Sequence, residues 1–243
     1  MDSIETILAA AGNGDYDAVE KLLAADPALA TATSMLGAQP IHAAYFGGHW
    51  RITELLLSSG VEIDFFLAAE LGLLDRVRRE LDLKPDLTRA FKAGSTALHN
   101  ASYWGQTAVA RLLIERGADV NLPSRDDFLQ IAPLGCAVAT ADVPNPSDDE
   151  DVVVELVQLL ISSGANVNAR RRDGLTALHS AGYRGLLRVI RVLLDHGADR
   201  TVQGYAGIGP HSGKTAAQVA ASQGQEQASV LLATAPYHSR KGD

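Results

Sequence analysis

The sequence contains a single cysteine, Cys136, among its 243 residues. One thiol forms neither an internal disulfide nor a cysteine-rich zinc site, so we expect the fold to depend on neither. Long hydrophobic runs are also missing, since no apolar stretch reaches the roughly 18 residues that span a bilayer. The first residues lack the basic start of a signal peptide. These absences predict a cytoplasmic protein with no membrane partner.

Basic residues are in the minority. The chain has 21 Lys and Arg against 29 Asp and Glu, and its formal net charge is −8. An acidic chain repels phosphate backbones, so the composition argues against a general nucleic-acid partner. Aromatic residues make up only 5% of the chain, although 47% of it is hydrophobic. The apolar residues are mostly Ala, Leu and Val, which favours closely packed small helices.

A short motif recurs along the chain. It reads QPIHAA at residues 39–44, TALHNA at 96–101 and TALHSA at 176–181, with looser copies TAAQVA at 215–220 and APLG at 132–135. The second apolar stretches of the units end in sequences such as LLIERGADVN at 112–121, LLISSGANVN at 159–168 and VLLDHGAD at 192–199. Both patterns resemble the signatures of the ankyrin repeat. The resemblance implies an all-α fold, namely an ankyrin-repeat solenoid of stacked helix-turn-helix units with short β-turn fingers.

The motif has a physical meaning at both ends of a unit. The threonine at its start predicts an N-cap, because the hydroxyl accepts a backbone N–H of the first helical turn. A glycine after the second helix suits the left-handed position that ends a helix. The glycines in question are Gly60, Gly117, Gly164 and Gly197. The stretch rich in Asp, Asn and Gly between one helix pair and the next predicts a turn, which we call a finger.

The spacing of the motif divides the chain into about seven units within one domain. The predicted units are 1–34, an N-terminal cap; 35–63; 64–91; 92–121; 122–168; 169–201; and 202–234, a C-terminal cap with a long finger. Residues 235–243 are expected to form a flexible tail, because they are polar and terminal.

Two of the steps between units are irregular. The step from His42 to Phe66 measures only 24 residues against a usual period of about 33, so unit 64–91 is expected to lack a full finger. The fifth unit carries an insertion at residues 142–151, which has two prolines and five acidic side chains. Such a composition predicts an exposed acidic loop between the two helices of that unit.

Three repeat histidines, His42, His99 and His179, recur at the same place in their units. This regularity predicts a structural role, in which a buried ring finds a backbone partner. The run at residues 213–215, Gly-Lys-Thr, misses the glycine spacing of a phosphate-binding loop and lacks its strand and helix. We therefore expect no catalytic residue, no metal ligand and no cofactor.

The resemblance also implies a binding face. In ankyrin repeats the concave surface is built from the finger tips and from two exposed positions near the end of each first helix. Exposed aromatic residues with arginine are typical of interface hot spots, which predicts that these positions bind a partner. The predicted binding residues are Phe46, Glu70, Tyr103, Trp104, Tyr183 and Arg184 on the helices and Arg172 on a finger, with Met35 and Leu36 as further finger positions.

These observations predict a monomeric protein–protein interaction module that binds a protein partner on its concave face. One alternative is a small-molecule-binding protein or an unusual enzyme with a pocket near the missing finger. Its candidate acid–base groups are Asp64, Glu70, His49 and His211. Another alternative is an inhibitor or antitoxin that masks an enzyme, which is a special case of the first function. Neither the partner nor its pathway follows from sequence, because one fold hosts many functions.

Overall fold

The computed structural model describes residues 3–126, 130–139 and 148–234. Within them the chain forms fourteen short α-helices arranged in pairs. Their bounds are Ser3–Gly12 (α1), Tyr16–Ala25 (α2), Pro40–Phe46 (α3), Trp50–Ser58 (α4), Phe65–Glu70 (α5), Leu74–Leu83 (α6), Ala97–Tyr103 (α7), Thr107–Glu115 (α8), Pro133–Ala137 (α9), Glu150–Ser162 (α10), Ala177–Arg184 (α11), Leu187–Asp195 (α12), Ala216–Ser222 (α13) and Glu226–Thr234 (α14). Two 3₁₀ turns, Pro27–Ala30 and Pro85–Arg89, follow α2 and α6.

The helix pairs stack on one another, first helix against first helix and second helix against second. Thus α1 packs on α3 and α5 on α7, while α8 packs on α10 and α10 on α12. In the described part of the chain the β-bridges are isolated and lie in the fingers, without forming a sheet. The predicted all-α solenoid is therefore confirmed. No helix among the described residues is long and apolar enough to cross a membrane.

The buried core consists of two clusters that meet at α5. The first lies within residues 7–71 and also takes in Trp104, and the second lies within residues 65–232. The short helix α5 contributes Leu67 to the first cluster and Phe65 to the second. The third unit is therefore the place where the two halves of the core join.

The starts of the first helices follow from the threonine of the motif. The hydroxyl of Thr96 accepts the backbone N–H of His99, and the ring Nδ1 of His99 accepts the N–H of Thr96 at 3.2 Å. In the last unit Gln218 replaces the histidine, and its side-chain oxygen accepts the N–H of Thr215 at 2.9 Å. Two backbone donors that a helix start leaves without partners are satisfied in this way. The predicted N-cap role is confirmed at Thr96 and Thr215.

The ends of the second helices follow from glycine. Gly117 and Gly164 take φ angles of +88° and +92°, in the left-handed region. A side chain with a Cβ adopts this region only with strain, which explains why glycine ends the second helix.

The repeat histidine also joins one unit to the next. The Nε2 of His99 lies 3.1 Å from the carbonyl oxygen of Ile131. The Nε2 of His179 lies 3.3 Å from the carbonyl oxygen of Lys214. Because Nδ1 accepts a backbone N–H, the proton is on Nε2, which donates to the carbonyl of the following finger. The predicted structural role of these two histidines is confirmed.

Burial in this position keeps the histidines neutral. Desolvation lowers the pKa of His99, and it lowers the pKa of His179 to about 4, although hydrogen bonds to backbone carbonyls oppose the shift. A neutral ring is the form that this hydrogen-bond arrangement needs, because a protonated Nδ1 could not accept an N–H.

The third unit departs from the regular stack. Residues 59–64 alone connect α4 to α5, and they run into α5 without forming a finger. Helices α3 and α5 have little direct contact, whereas α1 packs closely on α3 and α5 on α7. The stack therefore has a gap on its finger side between the second and fourth units.

The last residues of the acidic insertion belong to a helix. Residues 142–147 lie outside the described residues, as does the tail at 235–243. The expectation of a loop is wrong for Glu150 and Asp151, which form the first turn of α10 behind the N-cap Asp149. Carboxylates are stabilised at a helix N-terminus by its partial positive charge. Glu150 also accepts the backbone N–H of Arg188 at 2.7 Å, which ties α10 to the start of α12.

Replacing His179 with Gln is expected to flatten the pH dependence of stability. Unfolded histidine takes up a proton near pH 6.5, whereas folded His179 resists protonation down to about pH 4. Stability is therefore lost as pH falls from about 7 towards 4, by roughly 1–2 kcal/mol near pH 5. Urea unfolding between pH 5 and 8 measures this slope. Replacing the exposed His196 with Gln is the control, and equal slopes in both variants would contradict the assignment.

Candidate functional site

A cavity of about 530 Å³ lies between the ends of first helices and the fingers, where the family resemblance implies the concave face. Its floor includes the ends of two first helices, with Tyr103 of α7 and Tyr183 and Arg184 of α11. Its walls come from fingers at opposite ends of the chain, with Met35 and Leu36 on one side and Pro210 and His211 on the other. The structure thus brings together three of the predicted binding residues with the predicted finger positions 35 and 36.

Exposed apolar groups surround this cavity. Tyr183 is 44% exposed, and Met35 and Leu36 are exposed as well. The ring of Tyr183 meets the ring of His211 edge to face, with centroids 5.8 Å apart. Burial and the nearby charges of Lys214 and Arg171 lower the pKa of His211, so the imidazole is neutral at pH 7. Neutral aromatic edges beside an exposed tyrosine make this part of the cavity suited to an apolar group.

The charged groups of the cavity are fixed by the protein itself. Arg171 and Asp173 form a double hydrogen bond of 3.1 and 2.6 Å. Burial alone would raise the pKa of Asp173, but the hydrogen bonds and charge of Arg171 outweigh it and lower that pKa. Arg184 donates to the carbonyl oxygen of Ala139 at 2.9 Å. Burial lowers the pKa of Arg184, yet a guanidinium keeps its charge at physiological pH.

The first finger, residues 31–38, contacts a unit that does not follow it directly in the chain. The hydroxyl of Tyr103 donates to the carbonyl oxygen of Leu36 at 2.9 Å, although the two residues belong to the fourth and second units. The finger therefore leans across the gap left by the third unit. The register of the repeats predicted that both residues lie on the concave face. It did not predict their contact, because that contact depends on the space left by the missing finger.

Trp104 is not exposed, so this part of the predicted site is corrected. The residue is 3% exposed, and its indole stacks on the ring of His42 with centroids 4.1 Å apart and planes at 5°. Phe46, which is half-buried, stacks on the same indole at 5.6 Å. The expectation assumed evenly spaced units. Because α5 is short and the third unit has no finger, the indole on α7 reaches back to α3 and fills the space.

Glu70 replaces the missing finger as the partner of His42. Its carboxylate accepts the Nε2–H of His42 at 2.9 Å and the side-chain amide of Asn100 at 2.6 Å. The ring Nδ1 of His42 accepts the N–H of Gln39 at 2.9 Å, so the proton is on Nε2. At His99 and His179 the corresponding proton goes to a finger carbonyl. A side chain predicted as a binding residue is thus engaged within the fold.

A second cavity, of about 460 Å³, occupies the place of the missing finger. Most of the residues that line it are polar, namely Thr31, Thr33, Gln39, Glu62, Glu70, Lys92, Ser95 and Asn100. Lys92 is paired with Asp64, whose carboxylate lies 2.5 Å from the ammonium and also caps α5. A pocket near the missing finger was one alternative from the sequence, but neither Glu62 nor Asn100 was assigned to it.

The candidate acid–base groups do not assemble into one site. His49 is bonded to the carbonyl oxygen of Gly12 at 2.9 Å, in the first two units. Asp64 caps α5, and His211 lines the other cavity. Arg172 is exposed on its finger and lies outside the linings of both cavities.

Comparison with known proteins agrees with the stacked helix pairs and their finger turns. The model of ankyrin repeats matches residues 6–124 and 150–241 in three copies. The chain belongs to the ankyrin-repeat family. The resemblance read from the repeated motif is confirmed.

Several ankyrin-repeat proteins are similar to this chain. B-cell lymphoma 3 protein homolog of Mus musculus is 42% identical over 106 residues, which are 44% of this chain and 21% of that protein. E3 ubiquitin-protein ligase XBAT33 of Arabidopsis thaliana is 29% identical over 202 residues, which are 79% of this chain and 36% of that protein. Probable 26S proteasome regulatory subunit p28 of Saccharomyces cerevisiae is 31% identical over 187 residues, which are 70% of this chain and 75% of that protein. The chain spans well under half the length of the first two.

Replacing Glu70 with Ala is expected to destabilise this ankyrin-repeat protein by about 1–3 kcal/mol, because the Nε2–H of buried His42 loses its acceptor. Replacing it with Gln keeps an acceptor oxygen, and a rotated Asn100 amide can meet the new side chain, so a loss below about 1 kcal/mol is expected. Urea unfolding compares the two variants. Equal losses would show that the acceptor role of Glu70 is wrong.

Replacing Trp104 with Ala is expected to destabilise the protein by about 3–5 kcal/mol, because a buried indole is removed from the junction of the two core clusters. Trp50, which is 60% exposed on α4, is the matched control, and its replacement with Ala should cost less than about 1 kcal/mol. Thermal and urea unfolding measure both losses. A small loss at Trp104 would mean that the indole does not bridge the gap.

Proposed function

We propose that this ankyrin-repeat protein is an interaction module that binds another protein on its concave face. The observation that carries the proposal is the 530 Å³ cavity, where exposed Tyr183, Met35 and Leu36 surround Arg184. Aromatic residues and arginine in a concave, partly desolvated setting dominate the energetics of protein interfaces. Clustered exposed apolar groups on an otherwise polar surface also indicate a binding site.

The contact residues proposed from this geometry are Tyr103, Tyr183 and Arg184, with Met35 and Leu36 on the first finger. Phe46, Glu70 and Arg172 stay predicted contacts, whereas buried Trp104 is left out. The two fingers on the cavity wall come from opposite ends of the chain, so a bound partner contacts the first finger and the last one together. Such a surface recognises an apolar anchor that reaches into the cavity.

Two further features support a protein as the partner. The net charge of −8 favours partners with a basic or mixed surface, because long-range attraction raises the rate of encounter. The relative named as a proteasome regulatory subunit is, by that name, part of a protein assembly. A cytoplasmic location and a monomeric state belong to this proposal.

Replacing Tyr183 with Ala is expected to weaken partner binding by about 2 kcal/mol, or roughly thirtyfold in Kd, with the fold unchanged. Affinity capture from native lysate identifies proteins retained by the wild-type chain and lost by this variant, and calorimetry with the purified partner measures the Kd. Replacing the exposed Trp50 with Ala is the control, because it removes an aromatic from α4 outside the cavity.

Circular dichroism and urea unfolding confirm that both variants are folded. Equal retention of every captured protein by the wild type and the Tyr183 variant would exclude the concave cavity as the binding site.

A further inference from the structure

Backbone hydrogen bonds join the fingers of two pairs of neighbouring units. The N–H of Arg125 donates to the carbonyl oxygen of Gly94 at 2.7 Å, and the N–H of Tyr205 donates to that of Asp173 at 2.8 Å. Each of these bonds links one finger to the next along the stack. The backbone N–H and C=O groups that form these bonds have hydrogen-bond partners on the neighbouring finger, as they would between strands of a sheet.

The missing finger leaves a space between the first finger and the next one along the stack. Among the described residues no backbone hydrogen bond joins the first finger, residues 31–38, to the next one at residues 92–95. The polar cavity of about 460 Å³ separates the two fingers. Two finger edges therefore face a space in which an extended peptide can pair with backbone groups, as strands do when they add to an exposed sheet edge.

Acidic side chains outnumber basic ones in the lining of this cavity. Glu62 is exposed, and the carboxylate of Glu70 is held in place by His42 and Asn100. Lys92, the one cation among the described lining residues, is already paired with Asp64. A cationic group entering the cavity meets two carboxylates, and an anionic group meets repulsion.

A third cavity adjoins both the polar cavity and the apolar one. This small cavity, of about 240 Å³, is lined by Leu36, Gly37, Glu70 and Tyr103. Leu36 and Tyr103 also line the apolar cavity, and Gly37 and Glu70 also line the polar one. The tip of the first finger, held by the bond from Tyr103 to Leu36, thus lies where the two meet. A single extended segment can occupy both cavities.

We propose that a partner inserts an extended segment into the gap, where it takes the place of the missing finger and presents a Lys or Arg side chain to Glu62 and Glu70. An apolar side chain of the same segment occupies the neighbouring cavity beside Tyr183. This inference rests on the proposed function, and it adds the chemistry of the bound segment: extended backbone, one basic residue and one apolar residue.

A displayed library of random 12-residue peptides, selected on the wild-type protein, tests this recognition. The selected sequences are expected to be enriched in Lys or Arg together with a large apolar residue. Fluorescence polarisation of a selected peptide should show binding at least about tenfold weaker to the Glu62→Lys variant, because a carboxylate is replaced by a like charge. The Glu54→Lys variant, which changes an exposed glutamate on α4, carries the same net charge and should bind as the wild type does.

A charge exchange makes the test specific. Replacing the basic residue of the peptide with Glu should weaken binding to the wild type and restore it to the Glu62→Lys variant. Retained binding to Glu62→Lys together with loss in Tyr183→Ala would overturn the basic-segment inference and leave the concave function standing. Loss in Glu62→Lys with unchanged binding to Tyr183→Ala would support the gap site and contradict the apolar cavity. A library without basic enrichment would overturn the inference.

Discussion

The hydrogen bonds of the repeat histidine hold this stack together. In the regular units one ring nitrogen accepts the N–H at the start of its own helix, and the other donates to a carbonyl of the following finger. A single neutral side chain therefore sets the start of a helix and its distance from the next unit. Burial keeps the ring neutral, and neutrality preserves both bonds. The same geometry recurs at His99 and His179, and repeats of this kind contact chiefly their neighbours.

The third unit has no finger, so His42 has no finger carbonyl to accept its proton. The proton of His42 still needs a partner, because an unsatisfied buried donor costs more than a hydrogen bond contributes. Glu70 supplies the acceptor, and the indole of Trp104 covers the ring on the side that a regular neighbour would fill. The first finger then leans over to Tyr103. The short step in the repeat is thus offset by three side chains, Glu70 from the third unit and Tyr103 and Trp104 from the fourth.

The same short step creates the proposed recognition surface. Two cavities of different character, one polar and acidic and the other apolar with an arginine, are brought together under one finger tip. A fully regular row of fingers would fill the first cavity with its own backbone. The irregular step, and not the repeats that match the family best, therefore gives this chain a surface of its own.

The sequence by itself determined the helices, their caps and the existence of the gap, because these depend on local periodicity, on threonine and glycine at fixed positions and on the length of one step. It also placed Tyr103, Tyr183 and Arg184 on the concave face through their register in the repeat. Only the tertiary structure decided that Trp104 is buried, that Glu70 accepts from His42 and that fingers from both ends meet at one cavity. These contacts join residues that are distant along the chain, and their geometry depends on how far the stack relaxes around the missing finger, which spacing alone does not determine.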